Sequence, residues 1–326
     1  MTRLILTGES GVGLMRTERA DVVVPFCFRF VWGPLPSPDE LASYVAARSA
    51  SHGQGRHWSD YVGQWRRGSE AHRALGLIEL CRRAETVELW FDLLPNDQLQ
   101  LIWLLDHLHV HPEIATRLKM RVIDFPLIEP SHEELGECAV PDIDITEHEL
   151  KAASLVWQAY RASTPEACFG LLGRNLSALP LLRPALLDLL EELPSPATGL
   201  GATEMRLLEL IARGYESTNA LFQLHELRGR RVFNSWEMGD LLVGMAHGPT
   251  PAVMGLDDAL RTLRRENYRG RDEAYKRSEL SLTEFGEAVL AHEEDFSRHN
   301  PVHRWWGGTE LTSDRLWRFV PMLTKA

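Results

Sequence analysis

Cysteine is scarce in this chain of 326 residues, which contains only Cys27, Cys81, Cys138 and Cys168. None of them belongs to a closely spaced Cys or His pair, so the sequence argues against a structural zinc site. They are also too few and too scattered for a disulfide-stapled secreted protein. The N-terminal residues contain neither a signal-peptide core nor a cleavage site. We therefore expect a cytoplasmic protein.

Long apolar runs and a basic charge excess are also missing. No stretch approaches the roughly 18–20 uncharged apolar residues that a membrane-spanning helix needs, so no membrane association is predicted. The 35 Lys and Arg residues are outnumbered by 46 Asp and Glu residues, which gives a net charge of −11. The molecule as a whole is therefore a poor polyanion binder, and any nucleic-acid contact has to be local.

Strand-like and helix-like segments alternate in the first part of the chain. Strands are predicted at 3–7, 21–26, 86–91 and 121–125, and helices at 38–48, twice within 58–84, and at 99–109. Parallel neighbouring strands need a crossover connection, which is usually a helix. The sequence therefore predicts an α/β, Rossmann-like domain over 1–145, with a mostly parallel sheet and flanking helices.

The sequence pattern changes after residue 145, where helix-forming segments replace the alternation of strands and helices. Thr146 and Glu149 form a capping-box pattern that opens a helical connector over 146–196. The Pro/Gly/Ser-rich stretch 194–201 predicts a domain boundary. Beyond it, helices are predicted at 203–213, 235–247 and 256–266, followed by a two-stranded ribbon across the charged segment 268–279. This order predicts a C-terminal winged-helix-like domain over 197–326.

Several landmarks along the chain resemble one bacterial family. They are Gly8-Glu9-Ser10, Gly33-Pro34-Leu35, Glu88–Phe91 followed by Asp97-Gln98-Leu99, Leu282-Thr283 with Gly286 and Asp295, and Arg304-Trp305-Trp306-Gly307-Gly308. In this order they resemble the domain-of-unknown-function family DUF1835 over nearly the whole chain. The resemblance implies an N-terminal α/β part and a C-terminal part with a Gly-Gly tail, and it implies no activity. The family usually has Asp where this chain has Glu9.

A glycine-rich turn, Gly8-x-x-Gly11-x-Gly13, follows the first predicted strand. Backbone N–H groups at such a turn bind anions. A phosphate loop of the Walker type would need Lys and then Ser or Thr after its last glycine, but Leu14 and Met15 stand there. The spacing also differs from the dinucleotide fingerprint. The alternative is that these glycines only permit a tight turn from strand to helix.

Polar residues follow two of the predicted strands. Gly8, Glu9, Ser10 and Gly11 come after the first strand, and Asp92, Asn96 and Asp97 come after the third. Ligands of open α/β sheets bind outside the carboxyl ends of the strands. We therefore expect one crevice for a small anionic or nucleotide-like ligand.

Within this crevice, Gly8, Ser10, Gly11, Asp92 and Asn96 are the ligand-binding candidates. Glu9 and Asp97 are candidates for acid–base catalysis or metal binding, while the reaction and any cofactor stay unknown. The alternative is that Asn96 and Asp97 cap a helix.

Histidines and aromatics elsewhere are less specific. His107, His109 and His111 alternate at a predicted helix end, where they point in different directions, so no metal site is predicted. The Arg304–Gly308 segment combines aromatics with flexible glycines. It is either a tail that docks on the body of the protein or a ligand lid.

A second functional class is a ligand-responsive DNA-binding regulator. Arg261, Arg264, Arg265 and Arg269 fall on the predicted recognition helix and wing, where phosphate contacts are made. Acidic residues are interleaved with them, which favours a packing or interaction role for this domain. A protein-interaction scaffold is the third class.

Overall fold

The computed structural model describes residues 3–60, 72–226, 232–320 and 322–325. The chain divides into two compact units. The first comprises 1–30, 34–162 and 170–186, and the second comprises 31–33, 163–169 and 187–326. The α/β class predicted from the sequence is confirmed, because strands and helices alternate along the first unit.

The first unit contains one sheet and several helices. Its strands are β1 (Arg3–Gly8), β2 (Val22–Phe26), β3 (Thr86–Phe91), β4 (Leu118–Val122) and β5 (Asp142–Asp144). Its helices are α1 (Pro38–Val45), α2 (Leu77–Arg83), α3 (Pro95–Leu108), α4 (Pro112–Ala115), α5 (His132–Glu137) and α6 (Glu147–Tyr160). Two helices, α7 (Glu166–Leu171) and α8 (Leu182–Glu191), follow in the chain.

The strand order in this sheet is β2-β1-β3-β4-β5, and only β5 runs antiparallel to its neighbour. The chain leaves β1 towards β2 on one side and returns to β3 on the other side. The loops that follow β1 and β3 therefore leave this edge of the sheet in opposite directions. This is the topological switch point at which doubly wound sheets bind their ligands.

Apolar residues explain why these strands form the centre of the first unit. All five residues of β2 are buried, as are the last five of β1. On one face Ile5, Val23 and Trp90 pack with Leu14 and Leu135 in a single core cluster. Strands buried on both faces are typical of a parallel sheet covered by helices.

Several boundaries in the first unit differ from the prediction: α3 begins at Pro95 instead of residue 99, and α1 ends at Val45 instead of residue 48. The fourth strand was expected at 121–125 but lies at Leu118–Val122, because Leu118 and Met120 pair in register with Val87 and Leu89. Ile123 is buried in the core although it lies beyond the strand. Of the two helices expected within 58–84, the second is α2, and much of the first falls on 61–71, outside the described residues.

Capping boxes locate two helices as expected. The Ser37 side chain accepts a hydrogen bond from Glu40 N at the start of α1, and the Glu40 side chain accepts one from Ser37 N. Thr146 and Glu149 form the same kind of reciprocal pair at the start of α6. Each pair satisfies amide groups that a helix start leaves without intrahelical partners.

The second unit is mainly helical with short strands. Its helices are α9 (Ala202–Ala212), α10 (Thr218–Glu226), α11 (Ser235–His247), α12 (Tyr268–Arg277), α13 (Glu284–Leu290) and α14 (Phe296–His299). Its strands are β6 (Val253–Met254), β7 (Ser281–Leu282), β8 (His303–Trp306), β9 (Thr309–Thr312), β10 (Trp317–Val320) and β11 (Met322–Lys325). They form the antiparallel pairs β6–β7, β8–β9 and β10–β11.

Two predictions for this unit are wrong. The helix expected at 256–266 is only a 3₁₀ turn, Asp258–Arg261, which the Asp257 side chain caps. The ribbon expected at 268–279 is the helix α12, which Asn267 caps. Helix α12 is strongly polar, so its helical period is not visible in the apolar residues. The winged-helix assignment, with α9, α10 and α11 preceding β6 and β7, stays a prediction.

No helix in the described parts of the chain is both long enough and apolar enough to cross a membrane.

Candidate functional site

The candidate site begins where β1 ends. A 3₁₀ helix spans Glu9–Arg16 and is preceded by Gly8 in an extended conformation. This helix therefore begins directly at the end of the strand. Gly8 has no side chain that could accept a hydrogen bond from the first N–H groups of this helix.

Close packing requires glycine at two positions of this turn. A Cβ atom at Gly8 would overlap the carboxyl group of Asp97, and one at Gly11 would overlap the hydroxyl of Thr7. Thr7 donates that hydroxyl to the backbone oxygen of Trp90 at 2.5 Å, which ties β1 to β3. Gly8 thus allows Asp97 to approach the backbone of the turn.

Ser10 and Asp97 are joined across the switch point. The Ser10 hydroxyl donates a hydrogen bond to Oδ2 of Asp97. Ser10 is half-buried, whereas Asp97 is 4% exposed. The structure therefore brings together a candidate that follows β1 and a candidate that follows β3, at the edge where they were expected to meet.

Asp92 holds the loops at the same edge. Its Oδ1 accepts a hydrogen bond from Leu94 N at 2.9 Å, and its Oδ2 accepts one from Leu127 N at 2.9 Å. The side chain is completely buried. Asp92 thereby connects the loop after β3 with the loop after β4, and it lies beside Asp97, whose pKa its charge raises.

The two buried carboxyl groups change each other's ionisation. Burial raises the pKa of Asp97 well above its ordinary value, and the charge of Asp92 raises it further. Burial also raises the pKa of Asp92. Ionising both of two neighbouring buried carboxyl groups is costly, so such a pair retains a proton more readily than an exposed pair does.

Two further residues near this site were not singled out in the sequence. The charge of Arg29 lowers the pKa of Asp97. Burial raises the pKa of Cys27 to about 12, and the charge of Glu9 adds to that rise. Both residues follow β2, whose Phe26 is paired in register with Gly8. The end of the second predicted strand was the signal that could have identified them.

Asn96 and Asp97 do not cap α3. The N-cap residue is Leu94, which provides no side-chain hydrogen bond. Asn96 instead donates to Phe28 O at 2.9 Å and accepts from Phe30 N at 2.9 Å. Its amide therefore supports the segment after β2, and these hydrogen bonds compete with any ligand for the same groups.

Each remaining candidate has a different environment. Glu9 is exposed, and Gly11 is buried. The site thus combines an exposed carboxylate, a half-buried hydroxyl, the positive charge of Arg29 and a buried carboxyl pair whose pKa values are raised by burial. Such groups can hydrogen-bond a small polar molecule, and the carboxyl groups can exchange protons with it.

The described residues, the histidine-rich segment among them, contain no group of three or more His, Cys, Asp or Glu side chains arranged to hold a metal ion. The ring centroids of His107 and His111 are 6.3 Å apart. Burial lowers the pKa of His107, which stacks on Trp103.

The four arginines of the DNA-binding alternative are dispersed over a 3₁₀ turn, a loop and α12. Arg261 pairs with Asp258 at 2.9 Å, Arg265 pairs with Asp240, and Arg269 pairs with Glu273 at 3.2 Å. Arg264 is exposed. The recognition helix on which these residues were expected is absent, because Asp258–Arg261 is a short turn that Asp257 caps.

No protein-family model matches the chain, and the search of curated proteins finds no significant relative.

Proposed function

We propose that the first unit binds a small anionic or nucleotide-like ligand in the crevice between the ends of β1 and β3. The observation that carries this proposal is the hydrogen bond from Ser10 to the buried Asp97 at the switch point of the sheet. Gly8, Ser10 and Gly11 form the turn that faces the ligand, and Asp92 and Asn96 hold the surrounding loops.

Stability alone does not account for this arrangement. Burying a carboxyl group is costly unless it is paired with a cation or neutralised, and here two of them lie side by side. Buried ionisable groups with shifted pKa values are enriched at functional sites. The carboxyl pair therefore supports a role beyond folding.

The charge and hydrogen-bond groups around the turn suit the proposed ligand class. The N–H groups at the start of the 3₁₀ helix and the guanidinium of Arg29 favour an anionic group such as a phosphate. The exposed carboxylate of Glu9 suits hydroxyl donors such as those of a ribose. Glu9 and Asp97 remain the candidates for acid–base chemistry, although no particular reaction is assigned.

The other functional classes receive less support. Helix α11, the third helix before β6 and β7 in the winged-helix assignment, contains no Lys or Arg. Arg261, Arg265 and Arg269 are engaged in ion pairs. A duplex-binding regulator would need these groups for phosphate contacts. No specific contact in the described parts of the chain favours the scaffold alternative.

Membership of the DUF1835 family and a cytoplasmic location are further parts of this proposal. The first rests on the ordered landmarks, among them Gly8-Glu9-Ser10 and Asp97-Gln98-Leu99. The second rests on the four cysteines, which are all unpaired. Unpaired cysteines are the usual state in a reducing compartment.

Direct titration tests the ligand proposal. Inorganic phosphate, ribose 5-phosphate and adenosine monophosphate are titrated calorimetrically into the wild-type protein, Ser10→Ala and Ser177→Ala. Ser177 is an exposed serine of the same unit and serves as the matched control. At least one probe should bind the wild type and the control alike, and bind Ser10→Ala about tenfold more weakly, the loss expected for one hydrogen bond to a charged group. Equal affinity for all three proteins would remove Ser10 from the site.

A further inference from the structure

We propose that the second unit contains a separate binding site, an open cleft of about 500 Å³ along α11, and that it takes a small organic anion with a planar apolar ring. This site is independent of the crevice at Ser10. Its volume lies within the roughly 300–1,000 Å³ that small-molecule sites occupy.

One stripe of α11 forms a wall of the cleft. Asp240, Val243, Gly244 and His247 recur at helical spacing and all line it. The other walls come from the start of α9, from the segment at residues 300–304 and from the segment at 31–33, which belongs to this unit. The Arg304 segment, for which the sequence left a docked tail or a lid open, thus contributes directly to the cleft.

The interior surface is largely apolar. Leu200, Leu241 and Phe296 are buried residues that line the cleft, and Trp32 stands beside them with a half-exposed indole. The Arg265 guanidinium lies 5.1 Å from the centroid of the Trp32 ring, and the Phe233 ring meets Trp32 edge-on at 5.4 Å. Because both contacts hold the indole in place, it provides a rigid surface for a planar ring.

The carboxylates at the cleft already accept hydrogen bonds from arginine side chains. Oδ1 of Asp240 accepts a hydrogen bond from Arg271 at 2.5 Å, and Oδ2 accepts two from Arg265. Oε2 of Glu204 accepts one from Arg304 at 2.8 Å and one from Gly201 N at 2.9 Å. A cationic ligand would have to displace these arginines.

The remaining hydrogen-bond capacity is on the donor side. A guanidinium carries five N–H groups. Arg304 directs one to Glu204 and one to Glu192 O at 3.5 Å, so further N–H groups remain for a ligand. Arg265 and Arg271 together bring two positive charges to the single carboxylate of Asp240. The spare donors of Arg304 and the two guanidinium groups at Asp240 favour a carboxylate or another acidic group on the ligand.

Gly244 is a position at which a substitution can fill the cleft without disturbing its walls. It lies within α11, is exposed, and a Cβ atom there would meet nothing within 4 Å. A larger side chain at this position therefore projects into open space, and replacing glycine inside a helix favours the helix by up to about 1 kcal/mol. Gly136 in α5 is likewise free of neighbours within 4 Å and is the matched control.

The test uses aromatic carboxylates and their neutral amides. Benzoate, 2-naphthoate and indole-3-acetate, each beside its amide, are titrated into the wild type, Gly244→Leu and Gly136→Leu, all shown to be folded by circular dichroism. We expect at least one carboxylate to bind the wild type and Gly136→Leu equally, and to bind Gly244→Leu at least about tenfold more weakly. The matching amide should bind the wild type more weakly than its carboxylate.

Three results would overturn the proposal. They are the absence of binding by every carboxylate up to its solubility limit, unchanged affinity in Gly244→Leu, and tighter binding of the amide than of the carboxylate. Arg265→Gln adds a separate check of the charge argument. It should weaken binding of the carboxylate more than binding of the amide, because Arg265 also contacts the Trp32 ring that both ligands would use.

Discussion

The hydroxyl of Ser10 donates a hydrogen bond to the carboxyl group of Asp97, which lies 87 positions further along the sequence. The contact exists because β1 and β3 are neighbours in the sheet while the chain departs from β1 in the opposite direction. It links the turn that follows β1 to the first turn of helix α3. The predictions for this site follow from that link.

Gly8→Ala tests how closely Asp97 approaches the turn. The new Cβ would overlap the Asp97 carboxyl group, so either the turn or the carboxyl has to move. We expect a loss of about 1–3 kcal/mol in the free energy of unfolding, the usual cost of overpacking, measured by urea denaturation. Gly136→Ala, which meets no neighbouring atom, should lose nothing. Equal stability of Gly8→Ala and the wild type would contradict this packing.

Asp97→Asn tests whether the buried carboxyl pair serves function at the expense of stability. Because the pKa of Asp97 is raised in the folded state, the protein loses stability as the pH rises above the ordinary carboxyl range. The amide keeps the shape and removes the charge. We expect the variant to be more stable than the wild type at pH ~8, with the difference shrinking towards pH ~4.

Ligand binding provides the second readout for Asp97→Asn. A gain in stability together with a loss of phosphate or nucleotide binding is typical of a functional residue. A variant that is less stable than the wild type at every pH would show that the carboxyl group serves folding instead.

Glu192 gives the second unit a pH dependence of its own. Burial raises the pKa of Glu192 from 4.5 to about 7, and the neighbouring Glu204 adds to the rise, while hydrogen bonds from Thr203 and the charge of Arg304 oppose it. Between pH ~4.5 and about 7, the folded state therefore binds this proton more tightly than the unfolded state does. The stability contributed by this proton is complete below pH ~4.5 and is lost as the pH rises through about 7.

Glu192→Gln should remove most of this dependence. Melting temperatures measured from pH ~5 to pH ~8 should show the wild type losing more stability than the variant, by an amount on the order of 1 kcal/mol. Parallel curves for the two proteins would mean that Glu192 does not titrate in this range.

Arg318 and Arg298 offer a matched comparison around one carboxylate. Arg318 is 9% exposed and donates to Asp295 at 2.9 Å and to Ser195 O at 2.7 Å. Arg298 lies 3.5 Å from the same carboxylate, but its side chain is 79% exposed. We expect Arg318→Met to cost about 3–5 kcal/mol, since it leaves Asp295 buried without its main partner.

Arg298→Met should cost less than about 1 kcal/mol, the usual contribution of an exposed ion pair. Chemical denaturation of both variants under the same conditions provides the comparison. Similar losses for the two variants would contradict the difference in burial.

The sequence correctly located elements with a clear apolar pattern and missed a helix that is strongly polar. Strand β3 and helix α11 lie where they were expected, because each has an unambiguous apolar pattern. Helix α12 was missed because Arg271, Ala274 and Tyr275 are its only buried residues, and the first of these is charged. The features that could have indicated helix α12 are the Asn267 cap and the ion pairs of Arg269 with Glu273 and of Asp272 with Lys276.

The candidate site could be predicted in part. The carboxyl-edge rule correctly brought Ser10 and Asp97 to one place, since that rule depends only on strands being parallel. The roles of Asn96 and Asp97 could not be read from cap preferences. Their hydrogen bonds go to residues 28 and 30 and to Ser10, which are neighbours only after the sheet has formed.

The measurement that tests the central proposal most directly is the thermal stability of the wild type and Ser10→Ala with and without nucleotides and phosphorylated metabolites. A ligand at 100 times its dissociation constant should stabilise the wild type by about 2.7 kcal/mol. The account predicts that one of these ligands gives this gain, and that Ser10→Ala gains clearly less while its own stability falls by at most ~1 kcal/mol. An equal gain in both proteins, or no gain with any of these compounds, would contradict a ligand site at the Gly8–Ser10 turn.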